Sequence, residues 1–458
     1  MARIRVIGVI CGGIRTFAPI GAVTRKDLDR LAVPAIISGI AEPIIALSDT
    51  HFAGRLGPHD LAAVGIGSSF FLLVLWVLAQ TRSAVLAIVA RYFGENRLGE
   101  VRDLVPIAIW MNVVLGFFFY AVTVPFAPAI FTLYNPDPIV LEKAVGFYGV
   151  RAWGHPVALA VFAMTGAFRG VQNMRWSMWI SVIGAAINIG LNKLLIFGWG
   201  PIQAMGINGS ALASVIAQSC MCVIAVYVMY SRTVFRLLPT RWYHPEFLPL
   251  LMNSTNLFAR TIALNACYFF GNRFASGYGV AYIGAHSIAM QIWLFSAFFI
   301  DGYAAAGSVI AGRLNGERDW KQLHRVSWQV VRITVYIGAG LSLLYMAAYR
   351  WMGGWFTEDA EVLALFNGVF WLVILTQPIN AVAFAWDGIY KGIAASAELR
   401  NALVFATFGV FIPTIFLGDA LGMALHGVWL AFLLWMIARG IWLTITFERW
   451  YGRVRHTT

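Results

Sequence analysis

The chain has 458 residues, 60% of them hydrophobic and 12% charged, with a mean hydropathy of +0.74. About a quarter of the residues in an ordinary globular domain are charged, so this composition excludes a water-soluble fold. The net charge of +12, from 33 Lys and Arg against 21 Asp and Glu, would suit a nucleic-acid binder. Here the charges sit between apolar runs and read as membrane topology, and no nucleic-acid partner is expected.

The segment 1–27 starts positively, but its apolar run is short, is broken by Arg15 and offers no small-residue cleavage site. It is expected to remain as a cytoplasmic extension rather than be removed as a signal. Cys11 lacks the preceding small residue of a lipoprotein signal, while Cys220, Cys222 and Cys267 fall in apolar runs and read as small packing residues, not as a disulfide or metal framework. Apolar runs long enough for a bilayer predict spans at 31–54, 61–90, 104–126, 146–167, 176–198, 206–230, 248–275, 283–310, 330–351, 368–390, 401–418 and 424–447. Basic residues crowd the alternate loops: Arg25, Lys26 and Arg30; Arg91, Arg97 and Arg102; Arg169 and Arg175; Arg232, Arg236 and Arg241; Arg313, Arg318, Lys321 and Arg325; Lys391 and Arg400; Arg449, Arg453 and Arg455. The opposite loops hold few, namely Arg55, Lys143 and Arg350. The positive-inside rule then predicts a multi-pass inner-membrane protein with both termini cytoplasmic.

A shift of 222 positions superposes Phe52 on Phe274, Gly57 on Gly279, Arg91 on Arg313, Gly94-Glu95 on Gly316-Glu317, Pro156 on Pro378, Gly166 on Gly388 and Gly170 on Gly392. One offset serving four successive spans indicates an internal duplication. An even number of spans per repeat keeps both halves in one orientation, related by an axis along the membrane normal. The expected fold is therefore an all-α integral membrane protein of about twelve transmembrane helices in two six-helix bundles. Its lobes are expected at 28–231 and 248–447, with a cytoplasmic linker at 232–247 and a cytoplasmic tail at 448–458.

An ionisable side chain at membrane depth needs a partner, a cavity or a function. Asp49 lies roughly 28 Å along the first span from Arg30 at 1.5 Å per residue. Asn188 and Asn192, spaced i and i+4 on the fifth span, and Ser210, near the outer end of the sixth, arrive at a similar depth. Glu42 shares a face with Asp49, and Pro43 between them is expected to kink the helix. Low dielectric disfavours a charged carboxylate, which makes Asp49 the expected proton carrier; the alternative is a carboxylate merely capped by Asn188 and nearby hydroxyls. In the second half, Arg260, Asp301 and Asp387 suggest a buried charge network that locks the lobe. His155, beside Pro156, reads as a satisfied residue at a helix break. Abundant aromatic residues and Met suit an adaptable cavity for flat or cationic molecules, although much of the aromatic content also suits interfacial belts.

The segments LSDTHFAGRLG (47–57), FRGVQNMRWSM (168–178), NIGLNKLLIFG (188–198), GINGSALAS (206–214), GAHSIAMQI (284–292), FIDGYAAAGSVIAGRLNGERD (299–319) and FAWDGIYKGIAASAELRN (384–401) resemble the multidrug and toxic compound extrusion (MATE) family. The last two, with Arg260 in FARTIALN, resemble its DNA-damage-inducible branch. The resemblance implies a V-shaped pair of six-helix bundles that exchanges drugs for protons or sodium, with a coupling acid on the first helix. Asp49 matches that acid and Asn188 the fifth-helix Asn; Ser210 falls near a sixth-helix hydroxyl. Asn192 departs, since the family often has Asp there, which favours single-proton coupling while leaving sodium possible at Asp49, Asn188 and Asn192. No cofactor and no other metal is implied, only a proton or sodium gradient. The expected function is export of organic cations or amphiphiles by a monomer in the lipid bilayer. A lipid-linked precursor flippase would want a strongly basic cavity, for which only Arg151 and Arg260 look available. A membrane-embedded enzyme finds no support in an HExxH helix or a phosphate-binding loop.

Overall fold

The computed structural model describes residues 23–134, 136–201 and 203–455, without the side chains of Glu42 and Arg455. Residues 1–22, with Cys11 and Arg15, and the Glu42 side chain thus lie outside the described residues. Helices run over α1 Arg25–Gly54, α2 Pro58–Leu78, α3 Thr81–Gly94, α4 Leu104–Thr132, α5 Pro138–Arg151, α6 Gly154–Gly170, α7 Met174–Phe197 and α8 Gly206–Arg232. The second half holds α9 Phe247–Tyr278, α10 Val280–Glu317, α11 Trp320–Ala347, α12 Ala360–Gly392, α13 Ser396–Val404, α14 Ile412–Ala420 and α15 Ala424–Arg455. Among the described residues ten helical stretches are long and apolar enough to cross a membrane. The other two expected spans are the broken pair α5–α6, each piece short, and α9, which carries Asn253, Asn256, Arg260, Asn265, Asn272 and Arg273.

Helix starts follow local chemistry. Pro58 and Pro138 occupy first-turn positions, where a missing N–H costs nothing. Asp137, Asp319 and Asp359 accept from the free amides of Ile139 (2.8 Å), Gln322 (3.0 Å) and Glu361 (2.9 Å). Three spans are irregular. Ala79–Gln80 separates α2 from α3, and residues 152–153 separate α5 from α6. A π segment, Phe405–Phe411, joins α13 to α14 just before Pro413. Proline cannot donate to the carbonyl four residues back, which explains the break before Pro156 and the widened turn before Pro413.

The two compact units split α1. Residues 37–251 form one, whereas residues 23–36 group with 252–455; the lobe expected from the sequence begins instead at 28. Within the first unit α4 and α3 pack on α6, α2 on α5, and α7 on α8. The segment following α8 folds onto the same unit: Thr240 N donates to Asp103 (2.9 Å), Trp110 to the Leu237 carbonyl (2.9 Å), and Glu246 pairs with Arg91 (2.7 Å). Within the second unit α10 and α11 pack on α12, and α12 and α14 on α15, around Trp293, Trp429, Phe432 and Trp435.

The duplication is written into the backbone. Left-handed φ angles recur at the same offset: Gly57 (145°) and Gly279 (133°), Asn96 (58°) and Arg318 (56°), Gln172 (62°) and Ala394 (60°), Gly200 (59°) and Gly422 (69°). Close helix approaches recur too. A Cβ on Gly166 would lie 2.5 Å from the Arg82 carbonyl oxygen, and one on Gly388 2.1 Å from that of Ala304; Gly116 meets Pro156 as Gly338 meets Gln377 and Pro378. In lipid, where apolar side chains gain little by leaving the bilayer, such close backbone packing is what joins helices.

Candidate functional site

The first unit gathers polar side chains from α1, α7 and α8 around one carboxylate. Asp49 is 5% exposed, and Asn188, Asn192, Ser210 and Ser214 are buried. Asn192 Nδ2 donates to Asp49 Oδ1 at 2.6 Å; Ser210 Oγ donates to the same oxygen at 3.4 Å and Ser214 Oγ to Oδ2 at 3.5 Å. Asn188 stands one step back, donating to Ser214 Oγ (2.9 Å) and accepting from Asn192 (3.2 Å). The close approach of α7 and α8 makes this possible: a Cβ on Gly209 would come within 2.5 Å of the Leu195 carbonyl oxygen, so the glycine lets the Ser210 and Asn192 helices meet.

Ser214 is absent from the set expected from the sequence, yet Ser210, Ser214 and Gln218 lie at i, i+4 and i+8, a polar stripe on a largely apolar helix. Beside the cluster is a cavity of about 240 Å³, lined among others by Asp49, Ser68, Phe71, Arg151, Ser214 and Gln218. Arg151, from the end of α5, is 7% exposed; its Nη1 donates to Gln218 Oε1 at 3.1 Å and its guanidinium stacks 3.8 Å from the Phe71 ring centroid. His155 stacks on that same ring at 4.3 Å, with its Nε2 3.4 Å from the Tyr148 hydroxyl. Glu42 belongs to α1, and its side chain lies outside the described residues.

The second unit holds a different cluster. Arg260 of α9 and Arg439 of α15 both donate to Oδ2 of Asp387 on α12, Arg439 at 2.8 Å. All three are buried. Arg439 also lies 4.8 Å over the Trp435 ring. Asp301 is exposed on α10 and acts on the cluster through space, with Lys391, Asp387, Arg260 and Arg439 as its charged neighbours. Of the three residues expected to form a network, the structure joins Arg260 to Asp387 directly, adds Arg439 to the same carboxylate, and leaves Asp301 acting through space. Sequence reasoning built on acidic residues misses Arg439, although a lone arginine inside WLAFLLWMIARGIWLTI (429–445) is itself a signal. Among the described residues no group of three or more His, Cys, Asp or Glu is arranged to hold a metal ion.

Comparison with known proteins adds a consistent pattern. A family model described as MatE matches residues 34–194 and again 257–417, within one residue of the offset of the duplication. The chain is 27% identical over 434 residues to the DNA damage-inducible protein F of Escherichia coli K12, covering 93% of this chain and 92% of that protein. It is 28% identical over 432 residues to the chloroplastic protein DETOXIFICATION 44 of Arabidopsis thaliana, covering 90% and 80%. Among solved structures it resembles an outward-facing MATE multidrug resistance transporter of the MOP superfamily, with a TM-score of 0.86 at 18% identity over 94% of this chain and 96% of that one. The Vibrio cholerae MATE transporter VcmN in its bent form gives a TM-score of 0.85 at 15% identity, covering 94% and 97%.

Proposed function

We propose, from the premise that this chain belongs to the MATE family of transporters, that it exports organic cations or amphiphiles in exchange for protons by alternating access. It is a multi-pass helical membrane protein with an internal repeat, and its relatives are transporters, not enzymes. The observation that carries the proton assignment is the setting of Asp49. It is the sole carboxylate among the described residues lining the first unit's cavity, and its three direct partners are an amide and two hydroxyls. As a carboxylate, Asp49 accepts from all three; once protonated, its new O–H finds an acceptor when a serine hydroxyl turns round. Neither charge state leaves the Asp49 carboxyl itself without a partner, a penalty of about 1–3 kcal/mol for a buried polar group. A cationic ligand and a proton then compete for one carboxylate, which is the requirement for exchange.

Sodium would need oxygen ligands, whereas Asn192 presents its N–H to Asp49; sodium coupling requires that amide to turn. Basic loops support an inner-membrane orientation with both termini cytoplasmic, and the function is assigned to the monomer. The test is efflux of a fluorescent organic cation from proteoliposomes under a proton or a sodium gradient, imposed separately. Proton-driven efflux in wild type, lost in Asp49→Asn at normal expression, is expected. Sodium-driven efflux alone, or efflux indifferent to Asp49→Asn, would overturn the assignment, and silence under both gradients would favour a flippase.

A further inference from the structure

The cavity beside Asp49 holds a second fixed charge that proton exchange does not use. Arg151 is buried in its wall, and the partners that hold it are neutral: Gln218 Oε1 at 3.1 Å and the face of Phe71 at 3.8 Å. Among the described residues no carboxylate lies within ion-pair distance of it; its electrostatic link to Asp49 acts through space. The site is built rather than incidental. A Cβ on Gly154 would lie 2.2 Å from Gln218 Oε1 and 2.9 Å from Arg151 Nη1, so the glycine makes the room in which the amide anchors the guanidinium. His155 on the other side of the shared ring stacks Phe71 in place.

A buried guanidinium without an anion is costly at membrane depth, and its planar fork matches a carboxylate or similar oxyanion. The cavity lining thus offers both a carboxylate and a guanidinium, together with apolar surface from Phe71, Leu72 and Met221. A purely cationic ligand would satisfy Asp49 and be repelled by Arg151. We infer that Arg151 is an acid-recognition subsite, and that the ligands filling this cavity are zwitterionic amphiphiles whose cationic group meets Asp49 and whose acidic group meets Arg151. This deepens the exchange reading and rests on Asp49 as its cation-binding group: a proton arriving at Asp49 displaces the cationic end, while Arg151 sets which ligands are held.

The test is equilibrium binding to the purified full chain in detergent, with no gradient, so a failure of ion coupling leaves it untouched. The probes are 3-(2-naphthyl)alanine, its methyl ester, which keeps only the cation, and its N-acetyl derivative, which keeps only the acid. Wild type is expected to bind the zwitterion about tenfold more tightly than the ester, as one charge-assisted fork contact allows. Arg151→Gln should erase that preference, weakening the zwitterion and leaving the ester bound at least as tightly as in wild type. Arg151→Lys, which keeps the charge and loses the fork, should retain part of it. Asp49→Asn should erase instead the preference for the zwitterion over the N-acetyl compound. Equal affinity of wild type for zwitterion and ester, or a preference that survives Arg151→Gln, overturns the inference and leaves Arg151 as a remote counter-charge to Asp49. Should the Arg151 variants fail to fold, the wild-type ladder of three probes decides alone.

Discussion

Asp387 accepts from two guanidinium groups at once, and this asymmetry predicts an order of damage. Removing either arginine leaves Asp387 one direct guanidinium partner, whereas Asp387→Asn leaves Arg260 and Arg439 facing each other without the carboxylate that joins them. Breaking a buried pair from one side costs about 3–5 kcal/mol, so Asp387→Asn should lower the thermal midpoint in detergent most, ahead of Arg260→Met and Arg439→Met. An arginine variant less stable than Asp387→Asn would show that the cluster is held by something other than charge balance. Depth counting along the helices brought Asp49, Asn188, Asn192 and Ser210 to one level, because rise per residue is fixed. It did not separate direct partners from those one step back: Asn188 touches Ser214 rather than Asp49, a matter of side-chain direction that spacing does not contain. Arg151 was legible as a charge available to a cavity, but its anchors were not, since the Phe71 and Gln218 that hold it come from distant helices.

Between elements, the duplicated glycines and the left-handed residues make opposite predictions for the same kind of small change. At Gly166 and Gly388 an added methyl would meet a carbonyl oxygen of a facing helix, so alanine should cost about 1–3 kcal/mol through forced separation of the helices. Gly340, on α11, has nothing within 4 Å of its Cβ position, and Gly340→Ala should be neutral or mildly stabilising by helix propensity. Ala394 adopts φ 60° after α12, a conformation that costs an L-residue about 1–2 kcal/mol; Ala394→Gly should recover part of this. Thermal unfolding of the four variants checks the pattern, and a Gly388→Ala protein as stable as Gly340→Ala would contradict the packing argument. Span positions were readable from apolar length, whereas irregularities inside spans were not. Apolar runs continue across 152–153 and across Phe405–Phe411, and only Pro156 and Pro413 hint that the backbone ladder changes there.

At the scale of the whole molecule, α1 is the element that the two compact units share. The repeat was legible because its offset survives in glycines and charges, but a lobe boundary drawn at residue 28 assigns nearly all of α1 to the first half, whereas contacts place residues 23–36 with 252–455. The seat of that first stretch is specific. Tyr303 donates to Asp29 at 2.8 Å, and Gly302 lies so close to α1 that a Cβ there would come 2.1 Å from Ile36 Cγ1 and 3.2 Å from the Ala32 carbonyl oxygen. The same helix carries Asp49 into the first unit some four turns later. A rigid helix fixed at one end transmits a displacement to the other, so unseating its start should disturb coupling without touching the Asp49 cavity. Gly302→Val is therefore expected to bind 3-(2-naphthyl)alanine within about threefold of wild type, less than the tenfold that 1.4 kcal/mol represents. Proton-driven efflux should nevertheless fall by an order of magnitude or more. Binding and efflux measured on one preparation separate the alternatives. Efflux retained alongside binding would mean that α1 is not the coupling element, and binding lost together with efflux would mean that the seat at Gly302 supports the first unit's fold rather than its communication with the second.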